Sequence, residues 1–260
     1  MIVPLAFCRH GRVLLALALV APAASPALAA EHGSPAAGLS DPAVQGSTRT
    51  LYLSLIRQAR VDGRARAALA YLDDFDRQYP RDRDALMLRV NCLLDLGQTD
   101  AAEAALKRIA QNPQDGGVLE VRGHVAAAQG RWQQAATDYA EALVQSPANP
   151  LIGNALGYAR LRSGQPELAV EALKAAYDLA PREAVIRNNL VLALTVAGRG
   201  GEADTVLGSV RDPAARARIR REVAAQAPSL AAPVPAVPGP VLGPVPAPAP
   251  APAETGGQHG

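Results

Sequence analysis

The sequence is poor in the side chains that build catalytic, metal and disulfide sites. Its 260 residues include two cysteines, four histidines and one tryptophan, and aromatic residues make up 3% of the chain. Cys8 precedes an N-terminal apolar run, so beyond that run Cys92 stands alone and no intramolecular disulfide can form there. The apolar neighbours of Cys92 indicate a small buried hydrophobe. Few aromatic residues and abundant alanine favour helices packed on helices over a β-sheet core.

The motifs of common catalytic sites are also missing. The chain contains no HExxH, GxxxxGK[ST], GxGxxG or GxSxG sequence, so metalloprotease, nucleotide-binding and hydrolase functions lose their usual support. His32 and His259 lie near the chain ends, and a lone His124 in the central region cannot assemble a zinc site. We therefore predict no enzymatic activity, no cofactor, no metal and no small-molecule substrate.

The balance of charge gives no reason to expect nucleic acid as a partner. The chain has 26 basic and 24 acidic residues, and without the N-terminal Arg9 and Arg12 the counts become equal (26 − 2 = 24). Acidic residues also flank Pro80, and we interpret them as solvated or helix-terminal charges and not as a general acid/base pair. They are Asp73, Asp74, Asp82 and Asp84.

The N-terminus has the pattern of a secretory signal peptide. Within residues 1–29, Arg9 and Arg12 precede the apolar run Val13 to Val20, and Ala27-Leu28-Ala29 is a small-residue cleavage site. No other charge-free apolar run reaches the length of about 20 residues that a membrane helix needs. An exported protein, periplasmic or associated with the envelope, is predicted, with an uncleaved anchor as the alternative. Residues 30–48 are predicted to be a flexible lead-in.

A periodic pattern follows from residue 49 to residue 226. Gly130, Gly164 and Gly198 recur at equal intervals, and each separates two stretches of helical periodicity. Five helix-turn-helix repeats are predicted, at 49–82, 83–115, 116–149, 150–181 and 184–213, followed by a basic capping helix at 214–226. The turn glycines are expected to adopt a left-handed conformation, and prolines to stop the second helices. Small residues such as Gly123 and Gly157 are expected to let helices approach closely.

These residues resemble the tetratricopeptide repeat (TPR) family. The fourth repeat matches at Leu156, Gly157, Gly164, Ala169, Ala176 and Pro181, and the third at Gly123, Gly130, Trp132, Ala135, Tyr139, Ala142 and Pro147. The resemblance implies an all-α solenoid that presents a binding surface. More narrowly, the secretory start, residues 188–207 and the trailing helix resemble TadD-like proteins of tight-adherence (Flp) pilus assembly. That resemblance implies an envelope scaffold with pilus secretin or inner-membrane platform components as partners.

The first helix of each repeat is expected to line the concave side of the solenoid and to bind a protein or peptide partner. Asn154 and Asn188 occupy the same repeat position one repeat apart, which would suit hydrogen bonds to a peptide backbone. The alternative is that these asparagines satisfy helix termini or solvent. The predicted groove residues are Arg57, Asn91, His124, Asn154, Tyr158, Arg162, Asn188 and Thr195.

The last segment, residues 227–260, differs in composition from the rest. It contains ten prolines and one charged residue, Glu254, so it cannot build a core and is predicted to be a disordered polyproline II tail. It could be a passive spacer or the target of a proline-binding partner. For the whole chain we predict a non-enzymatic scaffold of pilus or secretion-system assembly. The alternative is a periplasmic chaperone or adaptor that binds peptide segments of exported proteins.

Overall fold

The computed structural model describes residues 42–109 and 115–231, and within these residues the chain is built from helices without any strand. The predicted all-α class is confirmed. The predicted signal peptide, and residues 232–260 of the predicted tail, lie outside the described residues. The described helices are α1 (Pro42–Val61), α2 (Ala65–Gln78), α3 (Arg83–Asp95), α4 (Thr99–Leu106), α5 (Gly116–Ala128), α6 (Trp132–Gln145), α7 (Pro150–Arg162), α8 (Pro166–Leu179), α9 (Ala184–Val196), α10 (Gly200–Gly208) and α11 (Pro213–Ala231).

Ten of these helices form five consecutive hairpins, each with a glycine in its turn. The turn glycines all have φ between 72° and 78°, the left-handed region that a residue without Cβ adopts at little cost. In each turn the residue after the glycine donates its N–H to the carbonyl five residues earlier, as Gln98 does to Leu93 at 2.9 Å. The prediction for these glycines is confirmed. They are Gly63, Gly97, Gly130, Gly164 and Gly198.

The loops that join one hairpin to the next combine a helix stop with a helix start. The second helices α2, α6 and α8 end two residues before Pro80, Pro147 and Pro181, as predicted. The next helix then begins at a capping side chain, because Asp82 accepts a hydrogen bond from the N–H of Ala85 at 3.0 Å. Asp115 and Asn149 cap α5 and α7 in the same way. Pro113, the corresponding proline of the second repeat, lies outside the described residues.

The two helices of a hairpin make close contact where the first helix carries a glycine. A Cβ added to Gly157 would lie 2.4 Å from Cγ of Leu173, and one added to Gly123 would lie 2.6 Å from Cε1 of Tyr139. Both distances are far below van der Waals contact, so these positions accept only glycine without a shift of the neighbouring side chain. The expectation that these two residues permit close helix packing is confirmed.

The hydrophobic core runs from hairpin to hairpin. Four clusters of buried residues follow one another, and each joins side chains of successive helices, so no hairpin buries its apolar face alone. The last cluster is closed by α11, which packs on α9 through the buried Ile219 and Val223. The predicted capping helix is therefore present. Among the described residues, no helix is both long enough and apolar enough to span a membrane.

The ends of the repeat region differ from the predicted boundaries. Helix α1 begins at Pro42, inside the stretch predicted as a flexible lead-in. Helix α11 continues to Ala231 and passes through Pro228, inside the stretch 227–260 that was predicted to be a tail. A proline inside a helix lacks one hydrogen-bond donor, but Ala227 and Leu230 on either side of it pack against the last core cluster. Burial of those side chains offsets the lost hydrogen bond, and so the helix extends beyond residue 226.

We expect Gly157→Ala to destabilise the protein by about 1–3 kcal/mol, because the added methyl group would overlap Leu173 in a packed core. Helix propensity alone predicts the opposite sign, since alanine is favoured over glycine within a helix by about 1 kcal/mol. The free energy of unfolding, measured by urea denaturation, decides between them.

Gly201→Ala in α10 is the matched control, because a Cβ at Gly201 would have no atom within 4 Å. This variant should be neutral or more stable by up to about 1 kcal/mol. A similar change in both variants would contradict the account of close packing at Gly157.

Candidate protein-binding groove

The first helices of the hairpins lie side by side along one face of the solenoid. Helix α1 contacts α3, α3 contacts α5, α7 contacts α9, and α9 contacts α11. We call the surface formed by α1, α3, α5, α7 and α9 the groove face. All eight residues predicted for the groove lie on these five helices. Four of them occupy one repeat position in successive hairpins, and they are Arg57, Asn91, His124 and Tyr158.

Two of these equivalent residues contact each other across neighbouring hairpins. Nδ1 of His124 lies 3.0 Å from Oδ1 of Asn91. An amide oxygen can only accept, so the N–H at Nδ1 of the imidazole donates this bond. Burial lowers the pKa of His124 to about 4, and the positive charge of Arg60 acts in the same direction. His124 is therefore neutral at physiological pH, and its contact with Asn91 ties α5 to α3.

The surroundings of His124 are polar but largely withdrawn from water. Oε1 of Glu120, one turn earlier on α5, lies 3.9 Å from Nε2 of His124. Burial raises the pKa of Glu120, and the charge of Arg60 opposes that shift. The ring of Tyr139, on α6, lies 5.6 Å from the imidazole, and its buried hydroxyl has no hydrogen-bond partner. Burial is the main cause that raises the pKa of Tyr139, and the negative charge of Glu120 adds to the increase. This part of the groove face is a set of internal contacts with little surface for a partner.

An aromatic and cationic cluster occupies the next hairpin. The guanidinium carbon of Arg162 lies 4.3 Å from the ring centroid of Trp132, a cation–π contact. The ring of Tyr158 meets that of Trp132 edge to face, with centroids 5.9 Å apart. Nη1 of Arg162 also donates to the Tyr158 hydroxyl at 3.4 Å. Trp132 begins α6, so the cluster joins the groove face to the turn before that helix.

The two asparagines predicted to bind a peptide have different environments. Asn154 is half-buried, and its Oδ1 accepts a hydrogen bond from Nδ2 of Asn189 at 2.9 Å. Asn188 is 2% exposed and its Oδ1 lies 3.5 Å from Nη2 of Arg187. Asn154 thus holds α7 to α9, and it is Arg187, not Asn188, that is half-exposed at this point. The sequence has two adjacent asparagines here, at 188 and 189. Only Asn188 was predicted for the groove, whereas Asn189 is the one that bonds to Asn154.

The two remaining predicted residues lie towards opposite ends of the face. Arg57 is exposed on α1. Thr195 is half-buried near the end of α9, where its hydroxyl donates to the carbonyl oxygen of Val191 at 2.8 Å. The structure therefore brings together Asn91 with His124 and Tyr158 with Arg162, and it leaves Arg57 and Thr195 apart from both pairs.

Charge is distributed unevenly along the groove face. In the first hairpins arginines pair with aspartates, as Nε of Arg60 does with Asp95 at 2.6 Å. Helices α7 and α9 contain no acidic residue, and among the described residues no ion pair includes Arg162 or Arg187. The Nε atom of Arg187 is buried without a hydrogen-bond partner. Among the described residues, therefore, Arg162 and Arg187 carry charges on the second half of the groove face that no acidic side chain neutralises.

The residues that the structure describes contain no group of three or more His, Cys, Asp or Glu side chains placed to hold a metal ion. Cys92 is buried, and burial raises the pKa of its thiol to about 11. Such a thiol is protonated at physiological pH and is a poor nucleophile. The chemistry that the groove face offers is hydrogen bonding, charge pairing and aromatic contact.

The pH dependence of stability should reveal the buried His124. Its pKa is about 4 in the folded protein and about 6.5 when exposed, so only the unfolded chain takes up a proton between these values. Above about pH 6.5 the neutral ring of His124 makes its full contribution to the free energy of unfolding. This contribution, on the order of 1–3 kcal/mol, is lost as the pH falls towards about 4.

The measurement is the free energy of unfolding of the natural protein and of His124→Gln across this pH range. Glu120 has a raised pKa and changes stability in the opposite direction, but it is present in both proteins. The difference between the two proteins should shrink as the pH falls. A difference that stays constant with pH would show that His124 is protonated in the folded state.

Models of tetratricopeptide repeats match the chain over most of the described region. One matches residues 61–118, and a second matches residues 95–150, 120–184 and 154–206. Together they cover the chain from residue 61 to residue 206. No curated protein matches the chain.

Solved structures of repeat proteins have the same fold. A thermophilic TPR protein of Thermus thermophilus has a TM-score of 0.57 at 23% identity, over 68% of this chain and 97% of that protein. MamA from Desulfovibrio magneticus RS-1, from residue 41 to its end, has a TM-score of 0.51 at 20% identity, over 67% of this chain and 96% of that one. At these identities the likeness concerns the fold alone. The repeat models, the turn glycines and the stacked hairpins agree, and the chain belongs to the tetratricopeptide repeat family.

Proposed function

We propose that the chain is an exported, non-enzymatic scaffold that binds a segment of a partner protein on its groove face, at α7 and α9. TPR domains bind protein partners in general and are generally non-catalytic scaffolds. The observation that carries the proposal is the unneutralised charge of Arg162 and Arg187 on two helices without an acidic residue.

The chemistry of this surface favours a partner segment that carries a carboxylate. A guanidinium that is partly removed from water is stabilised by a charge-assisted hydrogen bond, and its fork geometry matches a carboxylate. Arg187 is half-buried, its Nη2 makes only a long contact of 3.5 Å to the neutral Asn188, and its Nε has no hydrogen-bond partner among the described residues. The ring of Trp132 holds Arg162 in place and adds an apolar surface beside the charge. An acidic residue flanked by apolar residues would satisfy both features.

We further propose that the protein acts in the envelope, in the assembly of a tight-adherence pilus or a related secretion system. Support for export comes from the signal-peptide pattern of residues 1–29. Support for pilus assembly comes from the resemblance of residues 188–207 and the trailing helix to TadD-like proteins. On this proposal the partners are the pilus secretin or inner-membrane platform components.

A periplasmic chaperone or adaptor is the second candidate. It is favoured by the partly exposed ring of Trp132, because an aromatic surface binds apolar segments of many sequences. A chaperone would bind many exported proteins weakly, whereas a scaffold would bind few proteins in stable complexes.

Arg187→Gln should weaken partner binding by about tenfold or more, since a hydrogen bond to a charged group contributes about 1.5–3 kcal/mol. The immobilised protein, without residues 1–29, is used to capture partners from crosslinked native envelope, and mass spectrometry quantifies them. Arg57→Gln is the matched control, because Arg57 is exposed on the same face but far along the solenoid. Both variants should melt at the temperature of the parent protein.

The identity of the captured proteins separates the two candidates. Secretin or platform components that depend on Arg187 would support the pilus scaffold, and a wide range of unrelated exported proteins would support the chaperone. Capture that is insensitive to Arg187→Gln, or that is lost equally in Arg57→Gln, would contradict binding at α7 and α9.

Export is tested on the N-terminal segment itself. Cleavage after Ala29 should give a mature protein that begins at Ala30, because small residues at positions 27 and 29 form the recognition site. Ala27→Gln with Ala29→Gln should block cleavage, whereas Ala24→Gln should not. Mass determination of the protein from the envelope fraction measures this. An unprocessed natural chain in the cytoplasm would contradict export.

A further inference from the structure

An apolar groove lies between the second helices of the third and fourth hairpins, α6 and α8, and residues of α7 line it as well. It has a volume of about 360 Å³. Leu143 of α6 and Leu179 of α8 form its two sides together with alanines of both helices, and Leu156 of α7 contributes to its lining. Its polar residues include Asn149, Arg160 and Glu171. We call this cleft the apolar groove.

The apolar groove includes an exposed apolar side chain. Leu179, one of its lining residues, is 52% exposed. Val144, which directly follows the lining residue Leu143 in sequence, is 75% exposed. An apolar cleft with an exposed leucine in its wall is a surface that another segment can cover.

The chain has a segment whose composition fits this surface. Residues 233–252 lie outside the described residues, and they contain nine prolines, with alanine, valine, glycine and leucine as the other residues and no charge. An apolar groove cannot satisfy backbone N–H groups, so most extended peptides would lose hydrogen bonds to water on entering it. Proline has no N–H group, which removes this cost at nearly every second residue. The short side chains of proline, alanine and valine also suit a cleft with alanine in its walls.

The position where the described chain ends makes this contact reachable. Leu230, next to the last described residue, packs against the core cluster that includes Leu173 of α8. The neighbouring residue Ala172 lines the apolar groove, so α8 contributes both to that cluster and to the groove. In an extended polyproline conformation, twenty residues span about 62 Å, about three times the length of α8. The tether gives an effective concentration on the order of 1 mM, so a weak intrinsic affinity is sufficient.

We propose that part of residues 233–252 binds in the apolar groove of the same chain, and that the residues between Ala231 and the bound part form the tether. The segment covers Leu179 and leaves Arg162 and Arg187 free for a partner. This contact is independent of the function proposed above, because neither Arg162 nor Arg187 lines the apolar groove.

Binding is tested with a chain that ends at Ala231 and a fluorescent peptide of residues 232–253, by fluorescence anisotropy. The peptide should bind with a dissociation constant at or below about 1 mM, the concentration that the tether provides. Ala175→Glu and Leu179→Glu should each weaken binding about tenfold or more, because a charge in the groove must lose water without a partner. Both positions are exposed, so the fold tolerates the change.

Leu55→Glu is the matched control, since Leu55 is an exposed leucine on α1, far from the groove. A dissociation constant above about 1 mM, or equal weakening by Leu55→Glu, would overturn the proposal, because a tether with an effective concentration of about 1 mM could not then hold the segment. Loss of groove-face partner capture would leave this result unchanged.

The full chain is then tested with a photo-crosslinking residue at position 179. Crosslinks to residues 233–252 are expected within one molecule. A mixture of isotope-labelled and unlabelled chains distinguishes crosslinks within one molecule from crosslinks between two molecules. If crosslinks form only between labelled and unlabelled molecules, the segment binds a second copy of the chain, and the proposal is wrong. Crosslinks that avoid the segment altogether would also overturn it.

Discussion

The close contact between a glycine of one helix and a large side chain of the next is the constraint on which this structure depends. At Gly157 the side chain of Leu173 occupies the space of a missing Cβ, and at Gly123 the ring of Tyr139 does the same. These contacts set the distance between the two helices in the third and fourth hairpins, and the left-handed glycine turns set the direction of the helices in all five. Because each hairpin completes its core only with the next, the same geometry is carried along the solenoid.

A regular stack places equivalent side chains at regular intervals, and this regularity creates the groove face. In the first half of that face the polar side chains bond to one another, as Asn91 does to His124 and Arg60 to Asp95. In the second half, Arg162 and Arg187 have no acidic partner within the described residues. The first half therefore contributes to holding the hairpins together, and the second half has the charge that a partner can neutralise.

The repeat architecture was predictable because the residues that define it recur with a fixed period. Turn glycines, stopping prolines and close-packing glycines each have a local physical role, so their spacing alone placed the hairpins. The partners of the groove side chains were not predictable in the same way. Asn188 and Asn189 differ by one position, which turns the side chain by about 100° around the helix, and only the packing against α7 decides which of them meets Asn154. The unpaired charge of Arg187 is likewise a property of the surroundings and not of a motif.

The ends of the solenoid were predicted less well, because there tertiary packing overrides a local rule. Pro228 is a helix breaker by sequence, yet α11 passes through it since Ala227 and Leu230 bury apolar surface on the last cluster. The start of α1 at Pro42 similarly lies in a stretch whose composition is typical of a linker.

The central claim, that a partner binds the second half of the groove face, is tested most directly by site-specific photo-crosslinking in the native envelope. A crosslinking residue is placed at Thr195 on α9, and for comparison at Leu168, an exposed residue on α8. We predict that position 195 crosslinks to a defined partner protein at a segment containing an acidic residue, and that position 168 does not. Crosslinking of the partner only from position 168, or from both positions equally, would contradict it.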